Sequence, residues 1–291
     1  MNILRLTGGL GNQMYQYAFA KELEYRGHKV QFDCTYFDMP DDVFGVVAHR
    51  RYGLDCFPAI QIERASEKSI QQKSSPCRLF LRKVQRKIPF LRLPCSQYVE
   101  REFFSEDAFS NKNAYMEGFW QSQAYFPHVR QSLRNDFRFK QPSDDRNIQT
   151  LEKMQSGQSV SVHIRRGDYL AMPDIYGGVC DDKYYQRALE KMEQSVPDAD
   201  YYFFSDDPEW VSDNFHMGNQ TVVDWNTGDE SWIDMLLMSR CKHNIIANSS
   251  FSWWGAWLNE NPDRIVISPA YCEKRKEISA EKRVEGWNYL T

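Results

Sequence analysis

The 291-residue sequence lacks the features that would place it in several special classes. Its seven cysteines are widely spaced and form no CxxC pair, which argues against a zinc finger and predicts reduced thiols of a cytoplasmic protein. No apolar run approaches the roughly 18 residues of a membrane-spanning helix, and we expect no signal peptide. The formal net charge of -4 argues against nucleic acid as a partner.

Acidic residues are missing from one long stretch, residues 68–99. Within it the segment 78–92 is basic, and apolar side chains recur at helical spacing between Leu81 and Leu91. A basic amphipathic helix can lie on an anionic membrane surface, which would make the protein peripheral on the inner membrane face. The alternative is a solvated helix that packs on its own domain, and Pro89 would shorten either one.

The composition is otherwise typical of a soluble enzyme, with 42% hydrophobic and 26% charged residues. The length is sufficient for two domains. Aromatic residues are abundant at 14%. Because aromatic rings stack on sugars and bases as well as filling cores, this content is a weak indication of such ligands.

The amino-terminal segment predicts the start of a Rossmann-like sheet. The predicted elements are a strand at 2–7, a glycine turn at 8–11, a helix at 12–26 and a strand at 29–33. Met14 stands where the dinucleotide fingerprint has its third glycine, and no phosphate-binding P-loop follows. We interpret the turn as a place where a ligand approaches the backbone, with Asn12 as a donor. A plain tight turn is the alternative.

A clear alternation of strands and helices fills the carboxyl-terminal half and predicts a parallel sheet. The predicted strands are 160–164, 200–204, 221–224, 244–248 and 264–268, and the predicted helices include 182–195 and 208–214. A polar stretch at 142–157 suits a linker. We therefore predict an α/β fold of two Rossmann-like domains, 1–155 and 156–291, facing a central cleft. The last segment could also pack back on the N-terminal domain.

The run SVHIRRGDY, which ends at Tyr169, carries the strongest chemical signal. Its alternation predicts a buried strand with His163 and Arg165 on one face, and with Arg166 and Asp168 in the turn beyond. Folding does not require two adjacent arginines there. A bound polyphosphate would explain them, because guanidinium groups make bidentate bonds to phosphate oxygens. An exposed Arg–Asp pair that closes a loop is the alternative.

A second predicted strand ends in Ser205, Asp206 and Asp207, and Pro208 opens the next helix. We interpret Asp207 as the helix cap. Asp206 is then a candidate to accept hydrogen bonds from a guanine base. A divalent metal on the two carboxylates is a weaker alternative, because one local pair does not identify a Mg²⁺ site.

A third predicted strand runs into a helix that starts with several serines. The candidate ligand-binding residues are Asn248, Ser249, Ser250, Phe251 and Ser252. Helix starts have unpaired N–H groups and a positive dipole that attract phosphate, whereas a plain cap would need only one serine. Together the three strand ends offer phosphate donors and a base acceptor. A nucleotide-sugar transferase is therefore the predicted function.

The motifs GGLGNQM, HIRRGDY and NSSFSWWGAWLN, in this order, resemble the bacterial α-1,2-fucosyltransferases of glycosyltransferase family 11. The resemblance covers most of the chain and implies a GT-B fold. It also implies inverting transfer of L-fucose from GDP-β-L-fucose to the 2-hydroxyl of a terminal galactose. The implied acceptor is a β-galactoside-terminated glycan, for example of an O-antigen, and no metal or other cofactor is implied.

Residue roles also follow from the resemblance. Arg165 would contact the β-phosphate, and His163 and Asp168 would shape the same catalytic site. Asp206 would read guanine, and residues 249–251 would wrap the diphosphate.

In the glycine turn, Asn12 would lie near the sugar–phosphate junction. Gly9 is a departure, because protein O-fucosyltransferases have an arginine there. The base that deprotonates the acceptor stays open between His163, Asp168 and a residue of the N-terminal domain. Another linkage or acceptor, a non-catalytic nucleotide-sugar binding protein and a nicotinamide oxidoreductase are the alternative functions.

Overall fold

The computed structural model describes most of the chain. The described residues are 1–38, 50–74, 97–170, 172–176, 178–273 and 280–291. They form two compact units, Met1–Arg138 and Phe139–Thr291. Each unit contains a parallel sheet, which confirms the predicted α/β fold with two Rossmann-like sheets.

The first unit contains a four-stranded sheet. Its strands are β1 (Asn2–Arg5), β2 (Val30–Asp33), β3 (Gln97–Val99) and β4 (Tyr115–Glu117), and its helices are α1 (Leu10–Tyr25), α2 (Glu67–Ser74) and α3 (Arg130–Asp136). The strands pair in parallel in the order β2-β1-β4-β3. The chain leaves β1 toward β2 and later returns to the other side of β1, so the order reverses between β1 and β4. Parallel sheets bind ligands beyond the carboxyl ends of strands at such a reversal.

The glycine turn leads into α1, which begins slightly before its predicted start. Gly8 has a φ of 78°, and a Cβ there would lie 2.7 Å from Asn12 Nδ2, so this position needs glycine. Two buried amides hold the turn. Gln13 Nε2 donates to Gly8 O at 2.9 Å, and Gln16 Oε1 accepts from Thr7 N at 3.0 Å.

The second unit contains a six-stranded parallel sheet in the order β10-β9-β8-β5-β6-β7. The strands are β5 (Ser159–Ile164), β6 (Asp200–Ser205), β7 (Gln220–Val223), β8 (His243–Ile245), β9 (Val266–Pro269) and β10 (Asn288–Leu290). The helices are α4 (Asp145–Ser156), α5 (Gly167–Leu170), α6 (Pro173–Tyr176), α7 (Asp182–Ser195), α8 (Pro208–Asn214), α9 (Trp232–Arg240) and α10 (Ser250–Trp257). The order reverses between β5 and β8, and the carboxyl ends of these strands are therefore the expected ligand edge.

The core of the second unit forms where α7 packs near the central strand β5. Val160, Val162 and Ile164 are fully buried, as are Ala188 and Met192 of α7. All six residues of β5 are buried, as expected for a central parallel strand covered on both faces. Burial of each large aliphatic side chain contributes about 1.5–3 kcal/mol, so the strand end that carries the site is firmly held.

Residues 142–157 are not a linker, because they contain the helix α4. The buried Asn147 of this helix donates from Nδ2 to Asn226 Oδ1 at 2.7 Å, which bonds the helix to the second unit. The units therefore divide after Arg138 and not at the predicted residue 155.

The last segment forms the edge strand β10. Leu290 pairs with Pro269 of β9, and Ala270 N donates to Leu290 O at 2.7 Å. The sequence leaves open that this segment packs on the N-terminal domain. It instead belongs to the second unit, because its backbone extends the second sheet.

The predicted membrane contact concerns the segment 78–92, which lies outside the described residues. In the described part of the chain, no helix has the length and apolar character needed to cross a bilayer. Peripheral contact through the basic segment stays a prediction.

Candidate active site

Three of the predicted strand ends meet at the carboxyl edge of the second sheet. β5 pairs with β6 on one side and with β8 on the other, so the loops that follow them are neighbours. Tyr169 Oη donates to Asn248 O at 3.0 Å and ties the turn after β5 to the loop after β8. Arg165 Nε lies 3.2 Å from Asp206 Oδ2 and ties the same turn to β6. The arginine, aspartate and serine motifs therefore form one site.

Asp206 anchors the turn that follows β5. Its Oδ1 accepts from Arg166 N at 2.9 Å, and its Oδ2 accepts from Gly167 N at 3.1 Å and pairs with Arg165 Nε. A Cβ on Gly167 would lie 2.8 Å from Asp206 Oδ2, so this close approach needs glycine. Because Oδ2 already has two partners, the carboxylate serves the turn in this arrangement. Bidentate recognition of guanine by Asp206 stays a prediction.

The second arginine has different surroundings. Arg166 Nε lies 3.1 Å from Asp207 Oδ2, and its Cζ lies 3.7 Å from the centre of the Trp210 ring. Asp207 caps α8 as predicted, because its Oδ1 accepts from Trp210 N at 3.2 Å. Ser205 Oγ in turn accepts from Asp207 N at 3.0 Å. Arg166 is thus fixed against α8, whereas Arg165 is fixed against the turn.

His163 lies near the end of β5 and is buried. Burial, with a smaller contribution from the charge of Arg165, lowers the pKa of His163 to about 3. The ring is therefore neutral at pH 7, and its centre lies 5.8 Å from that of Phe251. An effective general base has a pKa near the working pH, so this histidine is a weak candidate for that role.

After β8 the chain enters α10 through the serine-rich loop. Ser249 is the N-cap, since its Oγ accepts from Phe251 N at 3.3 Å. Asn248 Nδ2 donates to the backbone carbonyl of Cys272 at 3.0 Å. Ser250 is the first residue of α10, so the start of this helix, with its positive dipole, lies at the ligand edge. This end of α10 favours an anion.

Three buried side-chain atoms of this edge have no hydrogen-bond partner within the described residues. They are His163 Nδ1, Asn248 Oδ1 and Ser252 Oγ. Buried polar atoms are nearly always paired in folded proteins, and one left unpaired costs about 1–3 kcal/mol. All three belong to the segments that end β5 or follow β8, so they are candidates to bind a polar ligand at this edge.

Two adjacent tyrosines of α7 position the strand ends, a role that the sequence pattern did not indicate. Tyr184 Oη donates to Ile246 O at 2.7 Å, and Tyr185 Oη donates to His163 O at 3.1 Å. Both rings are buried. The signal that could have indicated this role is the chemistry of tyrosine, because a buried phenol needs a hydrogen-bond partner.

Two predicted site residues are not brought into this group by the described contacts. Asn12 belongs to the first unit, where its Oδ1 accepts from Gln121 Nε2 at 2.8 Å. Asp168 lies in α5, which starts at Gly167, and its side chain lies outside the described part of the structure. The roles predicted for both residues stay predictions.

The fold and the site together define a class. Within the described residues, no group of three His, Cys, Asp or Glu side chains is arranged to hold a metal ion. The ligand edge instead combines a guanidinium group at Arg165 with a helix start at Ser250. This is a Rossmann-type α/β protein with an edge suited to an anionic ligand.

The chain belongs to glycosyl transferase family 11, whose profile matches residues 89–291. It is 32% identical over 288 residues to the alpha-1,2-colitosyltransferase of Escherichia coli, covering 96% of this chain and 94% of that relative. It is also 32% identical to the O-antigen biosynthesis glycosyltransferase WbnK of Escherichia coli, covering 91% and 92%. Galactoside alpha-(1,2)-fucosyltransferase 1 of Homo sapiens is 27% identical, covering 57% of this chain and 49% of that relative. The predicted family and enzyme class, a glycosyltransferase, are confirmed.

Solved structures are more distant. A mutant of Arabidopsis thaliana FUT1 in complex with GDP is 11% identical, with a TM-score of 0.46, covering 94% of this chain and 71% of that one. POFUT1 in complex with GDP is also 11% identical, with a TM-score of 0.43, covering 92% and 98%. The family assignment rests on the sequence relatives.

Proposed function

We propose that this glycosyltransferase moves L-fucose from GDP-β-L-fucose to the 2-hydroxyl of a terminal galactose, in an α-1,2 linkage. The observation that carries the proposal is the meeting of the Arg165 turn with the start of α10, where β5 and β8 end. Two sequence relatives are named as α-1,2 transferases, and one of them as a galactoside fucosyltransferase. The proposed acceptor is a β-galactoside-terminated glycan.

In the proposed reaction, the acceptor oxygen bonds to the anomeric carbon of fucose while the bond to the β-phosphate of GDP breaks, with inversion. Negative charge then grows on the departing diphosphate. In this proposal, Arg165, held by Asp206, and the start of α10 stabilise this charge. One such donor contributes about 3–4 kcal/mol of transition-state stabilisation.

These donors supply positive charge without a metal, so we propose a metal-independent reaction. The support is the chemistry of the edge itself, in which Arg165 can bind phosphate oxygens directly. Full activity in excess chelator would support this part of the proposal, and loss of activity would contradict it.

The acceptor hydroxyl must lose its proton during the displacement. We propose that Asp168, which follows Arg165 and Arg166 in the chain, is the base, and that the neutral ring of His163 donates or accepts a hydrogen bond toward the ligand. Asp168→Asn keeps the size of the side chain and removes its basicity. We expect kcat to fall at least about a hundredfold. Binding of GDP should be unchanged, and a normal kcat would contradict the role.

A second donor is favoured by one finding, the match to a colitosyltransferase over 96% of this chain. Colitose is fucose without its 3-hydroxyl. A site that hydrogen-bonds this hydroxyl would reject colitose strongly, because the buried partner of the hydroxyl would stay unpaired. A site without such a bond would accept both sugars.

The test uses the purified chain with GDP-fucose or GDP-colitose and a panel of β-galactosides. We expect acceptor-dependent release of GDP, and NMR should show the new bond at the galactose 2-oxygen. A bond at another hydroxyl would refute the linkage. GDP binding without transfer of either sugar would favour the non-catalytic alternative, and thermal stabilisation by NAD but not by GDP would refute the proposal entirely.

The cellular setting is proposed from the same relatives. WbnK is named for O-antigen biosynthesis, which suggests a bacterial O-antigen unit as the acceptor of this chain. We propose action in the cytoplasm, with the segment 78–92 as the candidate contact to the inner membrane face. The test fractionates cells that express the wild type or a variant in which the basic side chains of that segment are replaced. It compares how much of each protein is found in the membrane fraction.

A further inference from the structure

An exposed aromatic ring stands at the ligand edge of the first sheet. Phe119 follows β4, and its side chain is 45% exposed, while the next residue, Trp120, is fully buried. The backbone thus places the Trp120 ring in the interior and the Phe119 ring toward solvent. β4 lies beside β1, at the reversal of strand order where a parallel sheet binds its ligand.

The backbone that carries Phe119 is held in an unusual conformation. Glu100 Oε2 accepts from Phe119 N at 2.6 Å and from Trp120 N at 3.0 Å. Gln16 Nε2 donates to Gly118 O at 2.9 Å. Trp120 has a φ of 57°, which bulky residues rarely adopt. Such strain persists where the surroundings enforce it, and it concentrates at functional sites.

The amide of Gln121 lies two residues after the exposed ring in the chain. Gln121 Nε2 donates to Asn12 Oδ1 at 2.8 Å, which joins the loop after β4 to the start of α1. An amide carries both donors and acceptors. A sugar needs this combination, because its C–H face stacks on an aromatic ring while its hydroxyls bond to amides.

We propose that Phe119 is the platform for the acceptor, with the C–H face of the terminal β-galactoside stacked on its ring. The hydroxyls of the sugar bond to Gln121 and Asn12. The inference rests on the proposed function, which requires a galactoside site. Isolated exposed aromatics are common on protein surfaces. This one differs because Glu100 and the strained Trp120 fix the backbone that carries it, at the edge where a ligand is expected.

The test compares the wild type with Phe119→Ala, Phe119→Tyr and Tyr25→Ala. Tyr25 is the matched control, an exposed aromatic residue at the last position of α1. Binding of methyl β-galactoside is measured by saturation-transfer NMR with GDP present, and the KM for acceptor and for donor by GDP release. Thermal unfolding confirms that each variant is folded.

In Phe119→Ala we expect a loss of the NMR signal and a rise of about tenfold in the acceptor KM, with the donor KM unchanged. Phe119→Tyr should restore both values, and Tyr25→Ala should resemble the wild type. An unchanged acceptor KM in Phe119→Ala would overturn the platform while the proposed transfer stands. Absence of galactoside binding to a wild type that binds GDP would overturn it as well, and would also refute the proposed acceptor.

Discussion

The neighbouring arginines Arg165 and Arg166 offer a paired perturbation, because the structure gives them different partners. Arg165 joins the carboxylate of Asp206, whose two hydrogen bonds to the backbone N–H groups of the turn remain when this arginine is removed. Arg165→Ala should therefore leave the turn formed. Arg166 instead bonds to Asp207 and stacks on Trp210, so Arg166→Ala removes a support of α8.

The magnitudes follow from these contacts. If Arg165 binds the leaving diphosphate as proposed, removal of its guanidinium should cost about 3–4 kcal/mol of transition-state stabilisation, or a hundred- to a thousandfold in kcat. Its partly exposed ion pair adds about 1 kcal/mol to stability at most. Arg166 stacks on Trp210 with a separation of 3.7 Å, a contact that contributes about 0.5–2 kcal/mol. Its pair with the more exposed Asp207 adds little.

The assay measures kcat by GDP release at saturating substrates and the free energy of unfolding by urea denaturation. Arg165→Ala should lose activity with little loss of stability, and Arg165→Lys should fall between it and the wild type because it keeps the charge. Arg166→Ala should lose stability and retain most of its activity. The opposite pattern, an active Arg165→Ala and an inactive but stable Arg166→Ala, would refute the assignment of roles.

Further predictions test the anchor, the metal and the buried histidine. Gly167→Ala places a Cβ 2.8 Å from Asp206 Oδ2 and should lower kcat sharply. In the control Gly218→Ala, the added Cβ meets no atom within 4 Å and kcat should be unchanged. Equal effects on kcat would contradict the role of Asp206 as the anchor of the turn. Asp206→Asn should weaken the binding of GDP and of inosine diphosphate to the same extent. A loss of affinity for GDP alone would instead support recognition of guanine by Asp206. Activity should persist in excess chelator, and its loss would reveal a metal. The folded pKa of His163, about 3, lies below its unfolded value of about 6.5, so its contribution to stability is present above pH 6.5 and is lost as the pH falls. His163→Gln should therefore lower by about one the number of protons that the protein takes up on unfolding between about pH 6 and 4, so that the unfolding free energy falls less steeply with decreasing pH. An unchanged slope of the unfolding free energy against pH would refute the buried neutral state of His163.

Local patterns predicted much of the second sheet. The helices at 182–195 and 208–214 agree with the structure at both ends, because their caps Asp181 and Asp207 directly precede apolar periodicity. The helix α4 was mistaken for a linker. Its cap Asp144 and its final Gly157 are residue types that also form loops, and composition does not distinguish the two uses.

The candidate site shows a similar division. The sequence identified Arg165, Asp206 and Ser249 as ligand-edge residues, and the described contacts join their loops at one edge. It did not assign Tyr169 or Tyr184 to the support of those loops. Each of these tyrosines donates to a carbonyl that is distant in the chain, and the spacing of residues in the sequence does not indicate such a bond.

Residue order alone was enough to place strands, helix starts and the chemically unusual side chains, because backbone hydrogen bonding and burial impose short periods on the chain. Residue order did not determine that Asp206 pairs with Arg165 and that Asp207 pairs with Arg166. That choice depends on β5 lying between β6 and β8, a lateral order set by packing between distant segments. Contacts across neighbouring strands arise only once the sheet has assembled, and so does the site.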